Sequence, residues 1–86
     1  MSPEHVKEME VLRASIQEVD ADILRLLEER IHYVLRVGEI KGEYNAPIYV
    51  PEVEKRKIEA LSATCSYPGL VETIWPVIMC YARSVE

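Results

Sequence analysis

Residues 6–44 read VKEMEVLRASIQEVDADILRLLEERIHYVLRVGEIKGEY, and this stretch decides the fold. It contains no proline, and apolar side chains recur every three or four positions: Met9, Leu12, Ile16, Val19, Ile23, Leu26, Tyr33, Val37, Ile40 and Tyr44. That is the period, roughly 3.5 to 3.6 residues, of a helix buried along one side. The rhythm breaks once. Between Leu26 and Tyr33 the seam calls for an apolar residue, and the chain supplies Arg30. A second cation, Lys41, follows about three turns later and only about 20° round the helix. Two cations turned inward along an apolar stripe suit an anion.

The chain has 86 residues and reads as one small domain, residues 1–86, near the lower limit of what folds alone. A helix of about 39 residues is about 58 Å long. A compact globule of this size has a radius of gyration of about 12 Å. The rest of the chain is too short to cover such a stripe, and a periodic run well beyond about 25 residues points to helix pairing. The sequence therefore predicts an obligate homodimer with its long helices running against each other.

A net charge of −5 argues against a nucleic-acid partner and against an anionic membrane surface. Inward cations stand out against that background. No stretch approaches the roughly 20 apolar residues that span a bilayer, and no signal-peptide pattern opens the chain. The reading is a cytoplasmic protein. Cys65 and Cys80 lack close spacing or a histidine cluster and read as free thiols. His5 and His32 are too isolated for a metal site, and nothing calls for a cofactor.

In chain order, Ser2 or Pro3 opens the first helix, and Gly42, Asn45 and Pro47 supply its end. Residues 46–50 form an extended connector. Pro51 suits the first position of a second helix, with Glu52 and Glu54 in its first turn and Val50 as a poor cap. That helix runs to Ala63 or Thr64 and turns Ile58, Leu61 and Cys65 inward, with Glu54 on the same face. After a turn at residues 66–69, a third helix presents a stripe of Leu70, Ile74, Val77, Ile78, Tyr81 and Val85, kinked at Pro76. Trp75 and Met79 read as core or pocket wall, and the cysteines as small buried hydrophobes. The fold class is all-α, three helices per chain.

The inward ionisable set is Arg30, Lys41, Glu54 and Glu86, the last standing one turn beyond Ala82. Arg13 lies about 25 Å from Arg30 along the helix and about 100° round it, so it can serve only a pocket of an antiparallel partner. Ordinary interface salt bridges would account for a single inward arginine. Several cations in register imply instead that a ligand supplies the missing anion, and a small dicarboxylate would suit bidentate arginine pairing. No nucleophile–base pair or phosphate loop is present.

Four segments together resemble one family: Leu12-Arg13-Ala14-Ser15-Ile16-Gln17-Glu18-Val19-Asp20, Leu26-Leu27-Glu28-Glu29-Arg30, Val37-Gly38-Glu39-Ile40-Lys41, and Pro47-Ile48-Tyr49 with Pro51-Glu52-Val53-Glu54. The order and spacing are similar to those of the all-helical chorismate mutases, over a little more than half the chain. The resemblance implies an intertwined homodimer of three-helix chains with two active sites. It implies that Arg30 and the partner's Arg13 hold the two carboxylates of chorismate. Lys41 would donate to the ether oxygen of the breaking bond, Glu54 would accept from the ring hydroxyl, and Glu86 takes the place of a glutamine that also serves the ether oxygen. Val50, Val53 and Ala82 would complete the substrate-binding set.

Three departures bear on function. Val50 stands where an aspartate is common, Val53 where an arginine is common, and Glu86 for glutamine. An ionised Glu86 would repel the ether oxygen, so it acts only when protonated, and activity should rise toward acidic pH. The resemblance implies a chorismate mutase, a cofactor-free isomerase feeding prephenate to aromatic amino-acid synthesis. Isochorismate-pyruvate lyase and a mutase of 4-amino-4-deoxychorismate share the fold, and a non-catalytic helical dimer is the reading from another class.

Overall fold

A computed structural model describes all of residues 1–86, and the chain is helical without strands. Three helices follow in order: α1 (Pro3–Glu43), α2 (Pro51–Thr64) and α3 (Leu70–Val85). Ser2 caps α1, its Oγ accepting from the His5 amide at 3.2 Å, and Pro3 takes the first helical position, where its missing N–H costs nothing.

The end of α1 is a Schellman closure. The Ala46 amide donates to the Lys41 carbonyl at 2.8 Å, and the Asn45 amide to that of Gly42 at 3.4 Å. Of the three residues that signalled a break, Asn45 takes the left-handed conformation, with φ of 54°. Asparagine tolerates it better than other residues with a β-carbon.

The chain divides into two compact units, Met1–His32 and Tyr33–Glu86. Met1–His32 is helical from Pro3 onward, and no residue of α1 is buried. Leu12, Ile16, Val19, Ile23 and Leu26 are about half or more exposed, so the chain leaves this part of the expected seam bare. Tyr33, Val37, Ile40 and Tyr44 are exposed as well.

The half-buried positions of α1 are Met9, Leu27, Arg30, Ile31, Val34, Gly38 and Lys41. From Leu27 onward they recur at helical spacing and run through both cations. The helix therefore has two neighbouring apolar edges, as the doublets Ile23-Leu24 and Leu26-Leu27 already show. Periodicity found the outer one.

In Tyr33–Glu86, α2 packs against α3. The predicted face of α2 holds: Glu54, Ile58, Leu61 and Cys65 are half-buried. Val50 caps the helix without a side-chain hydrogen bond, and its carbonyl takes the amides of Val53 and Glu54.

The face of α3 is rotated from the one expected. Its core residues are Val71, Met79 and Ala82; of the expected stripe, Ile78 and Val85 are half-buried, whereas Leu70, Ile74, Val77 and Tyr81 are exposed. Apolar side chains surround this helix nearly completely, so spacing alone does not choose a face. Small Ala82 and flexible Met79 are the residues it turns inward, which suits close packing. Cys80 is exposed rather than buried, and both cysteines are free thiols. The helix continues through Pro76, which lacks the amide that would meet the Glu72 carbonyl. No helix is long and apolar enough to cross a membrane.

One side-chain bond ties α2 to the first turn of α3. Ser62 Oγ donates to Glu72 Oε1, and this bond chiefly holds the Glu72 carboxyl below its ordinary 4.5, helped by amides at the helix start. A lowered native value stabilises the fold above the unfolded value and loses that effect as pH falls through the native one. Ser62→Ala should therefore melt below wild type at neutral pH. Thermal unfolding followed from pH 7 to pH 2 should show the difference shrinking once pH drops below about 4.5.

Candidate functional site

Within Tyr33–Glu86, the charged side chains converge on the last turn of α3. Lys41 Nζ donates to the Ile48 carbonyl at 2.8 Å and to Glu86 Oε1 at 3.1 Å. The end of α1, the connector and the end of α3 are thus joined through one ammonium group. Glu86 is ordered in this arrangement. Its amide donates to the Ala82 carbonyl, and its side chain is only 7% exposed.

Gly38 makes the contact possible. A β-carbon built there would stand 3.2 Å from Cα and O of Glu86 and 3.3 Å from its Cβ. Glycine in a helix interior costs about 1 kcal/mol against alanine, so the close approach is what this position gains. Gly38 lies one turn before Lys41, so the residue admitting the α3 terminus and the residue gripping it share one edge of α1.

A second pair forms one turn earlier on α3. Arg83 Nη1 donates to both carboxylate oxygens of Glu54 at 2.5 Å, and the guanidinium lies over the Tyr49 ring, 4.5 Å from its centroid. The bond to Glu54 raises the Arg83 guanidinium above its already high value, against a smaller opposing effect of desolvation. Charge-assisted bonds and a cation over an aromatic face both favour this geometry. Positions 83 and 86 are three apart and lie side by side on the helix.

Arg30 belongs to Met1–His32 and is half-buried. Its Nη1 is shielded from solvent and has no hydrogen-bond partner. Arg13, in the same unit, is exposed. Among the remaining candidates, Val50 is half-buried, Val53 is 52% exposed and Ala82 is in the core. Lys41, Glu54 and Glu86 therefore gather on one unit, each engaged with a charged partner. No group of three or more His, Cys, Asp or Glu side chains gathers in a way that could hold a metal.

Sequence reasoning missed Arg83, Tyr49 and the role of Gly38. Arg83 in the final turn looks like an ordinary complement to the helix dipole. Its one distinguishing signal is the spacing to Glu86. Gly38 signals itself as a glycine inside an otherwise unbroken helix, which asks for a packing reason.

The sequence profile described as chorismate mutase type II matches residues 12–86. The chain is 45% identical over 56 residues to a bifunctional chorismate mutase/prephenate dehydratase from Aquifex aeolicus, covering 65% of this chain and 16% of that protein. It is 38% identical over 81 residues to the T-protein of Enterobacter agglomerans, covering 86% and 21% respectively. A chorismate mutase from Methanocaldococcus jannaschii is 32% identical over 69 residues, covering 80% of this chain and 70% of that protein. The chain thus spans about a sixth to a fifth of the length of the first two relatives.

Gly38→Ala separates local geometry from global stability. The gain in helix propensity, about 1 kcal/mol, opposes the cost of pushing the Glu86 backbone away by a few tenths of an ångström. The melting transition should move by no more than about 1 kcal/mol in either direction. The backbone amide resonances of Val85 and Glu86 should shift clearly, and an unmoved spectrum would show that the close approach constrains nothing.

Proposed function

The chain belongs to the chorismate mutase type II family, and we propose that it converts chorismate to prephenate as a homodimer whose two pockets each draw on both chains. One observation carries this reading: Arg30 presents a buried guanidinium nitrogen with no acceptor. A buried donor left unpaired costs of order 1–3 kcal/mol, and a carboxylate oxygen of the substrate removes that cost.

The reaction is a [3,3] rearrangement within one molecule. The C–O bond of the enolpyruvyl ether breaks as a C–C bond forms through a cyclic transition state, and no group is added or removed. The protein's work is to hold the reactive chair and to offset charge growing on the ether oxygen.

Arg30 and the partner subunit's Arg13 grip the two carboxylates. Lys41 has three ammonium hydrogens, of which Ile48 and Glu86 engage two. The third donates to the ether oxygen from a head group already held in place, so little reorganisation accompanies the reaction. Glu54 accepts from the ring hydroxyl. Glu86 accepts from Lys41 through one oxygen and, when protonated on the other, donates to the ether oxygen.

The bare apolar edge of α1 and the exposed side of α3 support the dimer, because the chain itself covers neither. The protein acts in the cytoplasm and needs no cofactor.

Purified protein incubated with chorismate should form prephenate faster than the spontaneous reaction, with products identified by mass spectrometry and NMR. Arg30→Ala should lower kcat/KM by on the order of a hundredfold or more without dissociating the dimer. Pyruvate and salicylate from isochorismate, with little prephenate, would move the assignment to the lyase. Turnover of neither would leave the amino-substituted substrate or a non-catalytic helical dimer, and unchanged turnover in Arg30→Ala would overturn the site proposed around Arg30.

Two further outcomes test the parts. Arg13→Ala and Arg30→Ala proteins, each inactive, should recover about a quarter of wild-type activity when unfolded together and refolded, because half of the dimers then hold one intact site. Glu86→Gln, whose side-chain amide can donate to the ether oxygen, should turn over at neutral pH on the order of tenfold faster than wild type. An unchanged rate in that variant would remove Glu86 from the chemistry.

A further inference from the structure

The Arg83–Glu54 pair is charged, half-buried and more elaborate than helix packing requires. Arg83 Nη1 alone engages both oxygens of Glu54, which leaves Nε and Nη2 with their hydrogens unengaged within the chain. Tyr49 fixes the plane of the guanidinium from one side. Each oxygen of Glu54 retains a lone pair for a further donor. One rigid assembly therefore offers donors and acceptors together, one turn from the Lys41–Glu86 pair. Of the two carboxylates in the first turn of α2, Glu52 is exposed and Glu54 half-buried, while Val50 caps the helix without a side-chain bond.

We propose that Arg83 is a specificity-determining residue which, together with Glu54, selects a ring hydroxyl over a ring amine. The inference rests on the function proposed above, in which Glu54 meets the ring substituent. A hydroxyl satisfies both partners, because it donates to Glu54 and accepts from Arg83. A protonated amine donates to Glu54 but has no lone pair for Arg83, and it brings like charge against the guanidinium. Rejection is thus built as repulsion and a missing acceptor, not as a difference in size. It also replaces the arrangement in which Glu54 acts alone, because a lone carboxylate would hold the ammonium more tightly than the hydroxyl.

The test is the ratio of kcat/KM for chorismate to that for the analogue carrying an amine in place of the ring hydroxyl. It is measured in wild type, Arg83→Met, Arg83→Gln, Arg83→Lys and Arg30→Ala. Wild type should favour the hydroxyl. Arg83→Met, which keeps an apolar stem over Tyr49, should reduce the ratio on the order of tenfold or more, through KM for both substrates moving in opposite directions. Arg83→Gln should do the same while keeping a donor toward Glu54, so the result does not depend on one variant folding well. Arg83→Lys restores the charge and should recover part of the preference.

An unchanged ratio in both neutral variants, with turnover still abolished by Arg30→Ala, overturns the role of Arg83 and leaves the proposed function standing. Turnover that survives in Arg30→Ala, or absence of turnover in wild type, overturns the proposed function and this inference with it.

Discussion

The unit from Tyr33 to Glu86 depends on the ammonium group of Lys41. Near the end of α1, one point charge reaches the connector at Ile48 and the last turn of α3 at Glu86. Each contact is a single bond, yet together they tie the connector and the last turn of α3 to the end of α1. Lysine suits the position because its three donors are not confined to a plane, so bonds to a carbonyl and a carboxylate from different directions leave the third free. An arginine would direct its donors in a planar fork and could not serve the same three points. Gly38 completes the constraint one turn away, since only a residue without a β-carbon lets the Glu86 backbone come this close unhindered.

Charge is arranged here to be nearly self-satisfied without being fully so. Lys41 with Glu86 and Arg83 with Glu54 are pairs, and a paired buried charge is tolerable where a lone one is not. Arg30 is the exception, with a shielded nitrogen that no group of the chain accepts from. A protein of net charge −5 has many carboxylates to place beside that nitrogen, and it places none. The surface pairs Arg25–Glu29 and Arg36–Glu39 show where such pairing is used freely, on exposed faces of α1, where it is worth little.

Much of this organisation was legible in the residues. Helical period, Pro51 at a first turn, and the inward placing of Glu54 followed from local rules and hold in the structure. Arg30 and Lys41 announced themselves by interrupting an apolar rhythm, and both lie on the half-buried stripe. The failures have a common cause. On α1 and α3 apolar residues occupy two adjoining edges, so the period gives the helix but not the rotation about its axis. Which edge of α1 meets its own chain, Leu26 or Leu27, and whether Val77 or Met79 of α3 turns inward, is set by which neighbour arrives, and that is tertiary information. Arg83 was hidden for the same reason: its partner Glu54 lies 29 residues away on another helix, and no spacing rule joins them.

The two adjoining edges also say why so small a chain uses so long a helix. Only Val71, Met79 and Ala82 are buried among 86 residues, too few to offset the chain entropy of ordering three helices. The missing burial must come from the faces left bare, above all the edge of α1 from Leu12 through Leu26. In the proposed dimer that edge is covered by the partner's copy of itself, and the same pairing carries Arg13 toward a site it cannot reach within its own chain. Folding, assembly and substrate binding then rest on one surface. A substitution that weakens the seam would lower activity through the population of dimer, and one at Arg30 would lower it with the dimer intact.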